Sequence, residues 1–139
     1  MTDQRANYAA LLLRLSLGTM FVAHALLKVF IFTVPGTVQF FQSLGLPGAL
    51  AYATIAAELI GGALLILGVR TRLVALALVP VMLGATWVHI GNGWLFSAPN
   101  GGWEYPVFWT VTLFVQALLG DGAHALRFGA ARQARLQAA

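Results

Sequence analysis

Cysteine is absent from this chain of 139 residues, and charged side chains are scarce. Without cysteine the chain can form no disulfide and can supply no thiolate to a zinc site, an iron–sulfur cluster or a dithiol exchange. Only 9% of the residues are charged, whereas 60% are apolar, well beyond the apolar share of a soluble domain. The composition therefore predicts an integral membrane protein whose redox chemistry, if it has any, needs a bound cofactor.

The length limits how many times the chain can cross a membrane. A spanning helix needs about 20 mostly apolar residues, so the chain has room for four spans and short connections, but not for a soluble domain. The predicted fold class is all-α, a polytopic membrane protein with a bundle of four transmembrane helices. Residues 1–139 form one membrane domain in this prediction.

Apolar runs and helix breakers place the spans along the chain. The predicted spans cover residues 8–32, 49–69, 73–90 and 105–119. A short helix is predicted in the first outer loop, where it would lie on the membrane surface with an apolar face formed by Val38, Phe40, Phe41 and Leu44. The loop between the third and fourth spans is rich in glycine and asparagine, which indicates turns.

The basic residues indicate the orientation of the chain. Arginines fall on one side of a four-span arrangement, at positions Arg5, Arg70, Arg72, Arg127, Arg132 and Arg135. The loops 33–48 and 91–103 contain no lysine or arginine, so the positive-inside rule predicts cytoplasmic N- and C-termini and a basic cytoplasmic tail over 121–139. Orientation explains the net charge of +4, and the predicted partner is the lipid bilayer rather than a nucleic acid.

Aromatic residues cluster on the opposite side from the arginines. They are Trp87, Trp94, Trp103, Tyr105 and Trp109. Such a cluster is typical of an interfacial belt, which anchors a membrane protein at the level of the lipid head groups.

A carboxylate stands inside the second predicted span. An unpaired charge at the bilayer centre costs roughly 2.5–3.5 kcal/mol on insertion scales, so Glu58 needs a partner or a function. At a rise of 1.5 Å per residue, Glu58 lies about 16 Å deep and Arg14 about 9 Å from the inner surface. We predict that Arg14 pairs with Glu58, with neighbouring first and second spans. Gly18 in the first span and Gly61-Gly62 in the second allow close helix approach.

Other polar residues are predicted to converge at the outer mouth of the bundle. His24 and Lys28 are four residues apart and share a helix face, and His89 and Glu104 reach a similar depth. The candidates for a ligand pocket are Arg14, His24, Lys28, Glu58, His89, Trp103 and Glu104. No catalytic triad or pair of carboxylates is recognisable, so the catalytic residues stay unknown and a hydrolase is not predicted.

Each of these residues also has a structural interpretation. The Glu58–Arg14 pair could serve only to set helix register, and Lys28 could extend its ammonium group to the outer surface. A haem between His24 and His89 is disfavoured because two histidines alone do not specify one. No metal site is predicted, since nothing in the spacing of His24, His89 and Glu104 enforces coordination geometry.

Five segments together resemble a known family. They are RLSLGTMFVAHALLK at 14–28, GTVQFFQSLGLPG at 36–48, AELIGGALLILGVRTR at 57–72, HIGNGW at 89–94 and NGGWEYP at 100–106. Their order resembles the DoxX family of small four-helix bacterial inner-membrane proteins. Two departures are Ala25, where the family usually has glycine, and Ala125-Leu126-Arg127, where its tail often reads Ser-Leu-Asp.

The resemblance implies a location in the bacterial inner membrane and a role near quinone chemistry. DoxX relatives are similar to membrane subunits of quinol oxidase and thiosulfate:quinone oxidoreductase systems and of oxidative-stress modules. The leading prediction is a small membrane component of a quinone-linked redox system, with an outward-facing polar pocket and a redox partner protein. Whether the chain is itself an enzyme stays open.

Two alternatives remain at this point. In the first, the chain is a non-catalytic membrane binding or assembly protein whose buried charges fix helix packing. In the second, it transports a small solute, which requires an oligomer because four spans are few for alternating access. A quinone is the cofactor that the resemblance suggests, a homo-oligomer is compatible with the sequence, and the number of subunits stays open.

Overall fold

The computed structural model describes residues 3–128, and within that range it contains helices and their connections without strands. Five α-helices follow in order: α1 Gln4–Leu26, α2 Val34–Ser43, α3 Ala49–Leu67, α4 Thr71–His89 and α5 Glu104–Leu119. A π-helical turn, Leu27–Ile31, extends α1, and a 3₁₀ turn, Ile90–Asn92, extends α4. The all-α class is confirmed. Helices suit an apolar chain because they satisfy their own backbone hydrogen bonds without water.

Three helices in the described range are long and apolar enough to cross a membrane. They cover Gln4–Ile31, Ala49–Leu67 and Thr71–Asn92, close to the first three predicted spans. The fourth predicted span is the apolar helix α5, which at 16 residues is about 24 Å long. The hydrocarbon core of a bilayer is about 30 Å thick, so the length of α5 alone does not make it a span.

Helix pairs organise the bundle. α1 packs chiefly on α3 and α5 chiefly on α4, while α3–α4 and α1–α5 contacts close the arrangement and α2 rests on α3. The core lies between these helices and is formed by Leu17, Phe21, Leu65, Ala75, Leu78, Val79, Met82, Trp109 and Leu113. Large apolar side chains cover the outside as well, which is expected where lipid replaces water as the solvent.

Glycines permit the close crossing of α1 and α3. A Cβ atom added to Gly18 would lie 2.6 Å from the carbonyl oxygen of Gly62, and one added to Gly62 would lie 2.8 Å from the carbonyl oxygen of Gly18. The two backbones therefore touch at this point. The prediction of close helix approach at these two positions is confirmed, while Gly61 faces the side chain of Leu78 on α4.

The connection between α3 and α4 is tight, as predicted. Gly68 ends α3 in the left-handed conformation with φ 73°, and Arg70 precedes α4 with φ 45°. The side chain of Asp121 accepts a hydrogen bond from the backbone N–H of Thr71 at 3.0 Å, so a residue beyond α5 caps the start of α4. Of the predicted basic tail, residues 121–128 are described, whereas Arg132 and Arg135 lie outside the described residues.

The predicted aromatic belt needs one correction. Trp87 and Trp94 are 56% and 60% exposed, and Trp103 and Tyr105 are partly exposed. Trp109 is only 4% exposed, because it lies on the face of α5 that packs into the core and contacts Phe21 of α1, with 4.7 Å between ring centroids. Its inclusion in the belt was therefore wrong.

Candidate functional site

The charged partner of Glu58 is Lys28. The Nζ atom of Lys28 lies 3.0 Å from Oε1 and 2.8 Å from Oε2 of Glu58, and the side chains are 18% and 7% exposed. The prediction that Arg14 pairs with Glu58 is wrong, and so is the alternative that Lys28 extends to the outer surface. Helical side chains point toward the N-terminus of their helix, so Lys28 reaches back into the bundle instead of out of it.

A π-helical turn carries Lys28. The wider turn at Leu27–Ile31 follows the C-terminal end of α1, so Lys28 departs from the α-helical register of the residues before it. The Oγ1 atom of buried Thr37 lies 3.0 Å from the carbonyl oxygen of Lys28 and 2.9 Å from that of Thr33. Its hydroxyl proton is shared between these two acceptors, so α2 is bound to the backbone that positions Lys28.

Arg14 belongs to a different polar centre, at the C-terminal end of α3, whereas Glu58 lies near the middle of that helix. Its side chain is 1% exposed, and among residues 3–128 its hydrogen bonds all go to backbone carbonyl oxygens. On α3 the acceptors are the carbonyl oxygens of Leu65 at 3.1 Å and Ile66 at 2.5 Å. Beyond α5 they are those of Asp121 at 3.0 Å and Ala123 at 2.7 Å. A cation at the C-terminal end of a helix is favoured by the helix dipole, so Arg14 ties the segment after α5 to the end of α3.

His24 lies beside the ion pair, on the same helix as Lys28. Its Nδ1 atom is 2.8 Å from the carbonyl oxygen of Met20, and a carbonyl can only accept, so Nδ1 carries the proton in this arrangement. When the ring is neutral, Nε2 is left as an acceptor, and when it is charged, Nε2 is a second donor. The ring packs edge-on against Trp109, with centroids 4.9 Å apart, and it is close enough to Glu58 for electrostatic interaction.

The remaining predicted residues lie at the end of α4 and around the start of α5, next to the loop that joins these helices. His89 contacts the carbonyl oxygen of Ala85 through Nδ1 at 2.7 Å, and the carboxylate of Glu104 accepts from the backbone N–H of Phe96 at 3.0 Å. Trp103 directly precedes α5. Across residues 3–128, no hydrogen bond or ion pair joins these side chains to Lys28 or Glu58, so their place in a shared pocket stays a prediction.

The described part of the chain also contains an apolar groove of about 270 Å³ between α3 and α4. It is lined by Ala56, Ala57, Ile60, Gly61, Leu64, Val74, Ala77 and Leu78. Since these side chains carry no polar group, the groove is not the predicted polar pocket. Within the same residues, no group of three histidine, aspartate or glutamate side chains could hold a metal ion.

Sequence reasoning missed three residues that shape these centres. From the sequence, Trp109 is predicted to lie in the aromatic belt, Thr37 has no predicted role, and Asp121 is only the first residue of the predicted basic tail. For Asp121 a signal was present, because an acidic residue between two glycines directly after an apolar helix suggests a capping turn. No pattern in the sequence marks Thr37 or Trp109 in this way.

The fold and the buried charges define a class: a helical membrane protein with an ion pair held between its apolar helices. The DoxX family model matches residues 9–90, more than half of the chain. The chain therefore belongs to the DoxX family, which confirms the predicted resemblance.

A relative is also found among curated proteins. Over 75 residues the chain is 44% identical to "Putative oxidoreductase CatD" of Bacillus subtilis strain 168. The match covers 54% of this chain and 54% of that protein, so it spans about half the length of each. No solved structure matches the chain.

Proposed function

We propose that this protein is a small integral membrane component of a quinone-linked redox or oxidative-stress system, and that it binds a quinone head group beside His24, Lys28 and Glu58. Membership in the DoxX family and similarity to a protein named as an oxidoreductase support a redox role. Electrons would come from a partner oxidoreductase, since the chain has no cysteine and the proposed site offers only protons and hydrogen bonds.

The observation that carries the proposal is the Lys28–Glu58 ion pair inside apolar helices. Charged groups within spans are costly and are functional by default. Reduction of a quinone takes up protons together with electrons, so a site for it needs groups that exchange protons away from water. Glu58 is 5% exposed and has His24 nearby, while Lys28 offers a positive charge to the carbonyl oxygen of a quinone.

The location in the cell forms part of the proposal. We place the protein in the bacterial inner membrane with four spans, α5 being the fourth, and with both termini in the cytoplasm. Arg5, Arg70, Arg72 and Arg127 are exposed and support this orientation. The short α5 begins at Glu104 beside tryptophan and tyrosine residues, which can anchor a short span at the interface while the bilayer thins around it.

The first test is spectroscopic. The protein, purified in mild detergent, should give a reduced-minus-oxidised difference spectrum with a quinone band in the ultraviolet, or should bind an added decyl-substituted benzoquinone in calorimetry. Glu58→Gln should weaken this binding at least tenfold while the protein stays folded. Asp3→Asn is the control, because Asp3 is the exposed N-cap of α1, outside the proposed site, and asparagine also caps helices, so its affinity should equal that of the wild type.

Two results would contradict the proposal. One is a flat difference spectrum together with no binding of the added quinone by wild-type protein. The other is equal affinity of wild type and Glu58→Gln, which would show that the ion pair has no part in binding.

The second candidate function is a non-catalytic binding or assembly role. It is favoured by Arg14, a fully buried charge whose hydrogen bonds all go to backbone carbonyl groups, as expected of a purely structural residue. If the ion pair is structural in the same way, Glu58→Gln should lower the melting temperature in detergent and wild-type protein should bind no quinone. An unchanged melting temperature would count against this candidate.

A further inference from the structure

Trp109 presents a buried hydrogen-bond donor without an acceptor. Its side chain is 4% exposed, and among residues 3–128 no atom accepts a hydrogen bond from its indole Nε1–H. A buried N–H group without a partner costs free energy, and in native proteins such groups are rare. An orphaned donor in the core, next to the His24 ring, is therefore a sign of a missing acceptor.

Aromatic rings from two helices surround this donor. Centroid distances from the Trp109 ring are 4.7 Å to Phe21 and 4.9 Å to His24 on α1, and 5.8 Å to Tyr105 on α5. Tyr105 is 46% exposed and marks the edge of the cluster, where a ligand in the membrane can approach. These rings contact Trp109 directly, and the single unpaired donor among them selects for a ligand that presents a hydrogen-bond acceptor.

His24 gives the cluster the complementary group. With its Nδ1–H directed at the carbonyl oxygen of Met20, the neutral form of the ring has Nε2 as an acceptor. The cluster thus contains a donor on α5 and an acceptor on α1, one helical turn before Lys28. A quinone has carbonyl oxygens that only accept, whereas the reduced quinol has hydroxyl groups that also donate.

We propose that the indole N–H of Trp109 donates a hydrogen bond to a carbonyl oxygen of the quinone head group. This inference rests on the proposed function and adds to it a ligand-binding residue on α5. In the reduced ligand, a hydroxyl group donates to Nε2 of His24. The site then recognises both redox states, and a hydrocarbon of the same shape without oxygen binds poorly because it leaves the N–H unpaired.

The test removes the N–H and keeps the aromatic ring. Wild type, Trp109→Phe and the control Trp87→Phe are titrated with decyl-substituted benzoquinone by calorimetry, and the carbonyl stretching band of the bound quinone is recorded by infrared spectroscopy. Trp87 is 56% exposed on α4 and serves as the matched control. Trp109→Phe should bind about five- to tenfold more weakly, since one hydrogen bond is lost, and its carbonyl band should lie nearer that of free quinone. Trp87→Phe should behave as wild type does.

The outcomes separate this inference from the proposed function. If wild type binds quinone and Trp109→Phe binds equally well with the same carbonyl band, the hydrogen bond is refuted and the N–H faces an aromatic ring such as Phe21 instead. If wild type binds no quinone, the proposed function itself is refuted. Should Trp109→Phe misfold, benzothienylalanine at position 109 replaces the N–H by sulfur in a ring of the same shape. Weaker quinone binding with a shifted carbonyl band then supports the hydrogen bond, and unchanged binding with an unchanged band refutes it.

Discussion

At the scale of single residues, the buried charges divide into two centres with different partners. Glu58, near the middle of α3, is paired with Lys28, whereas within residues 3–128 Arg14 donates only to backbone carbonyl groups, at the C-terminal end of α3 and after α5. Counting residues along ideal helices placed Arg14 nearest in depth to Glu58 and so predicted the wrong pair. The direction and length of a lysine side chain, together with the π-helical turn that carries it, are not visible in such a count.

The ion pair can be tested by removing its members separately and together. Lys28→Met and Glu58→Leu should each lower the free energy of unfolding by on the order of 3 kcal/mol, because each leaves a buried charge without a partner. The double variant should recover most of this loss, since no charge is then buried. Thermal unfolding in detergent of all four proteins gives the coupling energy. Additive losses would mean that the two charges do not depend on each other.

The role of Arg14 can be tested by a substitution that keeps the positive charge and changes the shape of the side chain. Arg14→Lys should destabilise the protein by on the order of 3 kcal/mol, because one ammonium group cannot reach acceptors on both α3 and the segment after α5. Melting temperature in detergent is the measurement, and Arg5→Lys, at an exposed position, is the matched control with little expected change. Quinone affinity of the folded fraction should stay at the wild-type value. Stability equal to wild type would show that charge alone suffices at position 14.

At the scale of secondary structure, the crossing of α1 and α3 determines how close Lys28 can come to Glu58. Gly18 and Gly62 bring the two backbones into contact, which holds the faces carrying the ion pair together. Without a hydrophobic force between helices in lipid, such close packing is what drives spans to associate. Small residues here were predicted from the sequence, and the structure confirms that they face each other.

A methyl group added at this crossing should push the helices apart. Gly62→Ala places a Cβ 2.8 Å from the carbonyl oxygen of Gly18, so we expect a loss of about 1–3 kcal/mol from overpacking. In α4, a Cβ added to Gly84 would meet no atom within 4 Å from other parts of residues 3–128, and Gly84→Ala should be neutral or should stabilise by up to about 1 kcal/mol. Chemical unfolding in detergent compares the two variants. Equal effects of both changes would contradict the close crossing.

At the scale of the whole molecule, the open question is how many times the chain crosses the membrane. Among the described residues three helices meet the length of a span, and α5 is shorter. With an even number of spans, the segment after α5 lies on the same side of the membrane as the N-terminus. With an odd number, it lies on the other side. The hydrogen bonds of Arg14 join that segment to the C-terminal end of α3, an arrangement that the proposed four spans require.

The absence of cysteine makes the topology directly measurable. Single cysteines introduced by Ser97→Cys in the loop before α5 and by Gln4→Cys at the start of α1 can each be labelled with a membrane-impermeant maleimide, since both positions are exposed. In intact spheroplasts Ser97→Cys should react, while Gln4→Cys should react only after permeabilisation. A cysteine replacing exposed Arg127 should behave as Gln4→Cys does. Labelling of this third cysteine from outside would refute the four-span arrangement.

By itself, the sequence determined the class of protein and the approximate course of the chain. The apolar composition without cysteine and the segments of the DoxX family indicated the class, and the helices lie near their predicted bounds with glycines where they pack closely. These follow from local properties, since span length, helix breakers and small residues act over a few neighbouring positions. Only the tertiary structure decided that Lys28 pairs with Glu58, that Arg14 binds carbonyl groups and that Trp109 is buried. Each of these depends on the rotation of helices about their axes and on the reach of long side chains across the bundle, which residue spacing along one helix does not specify.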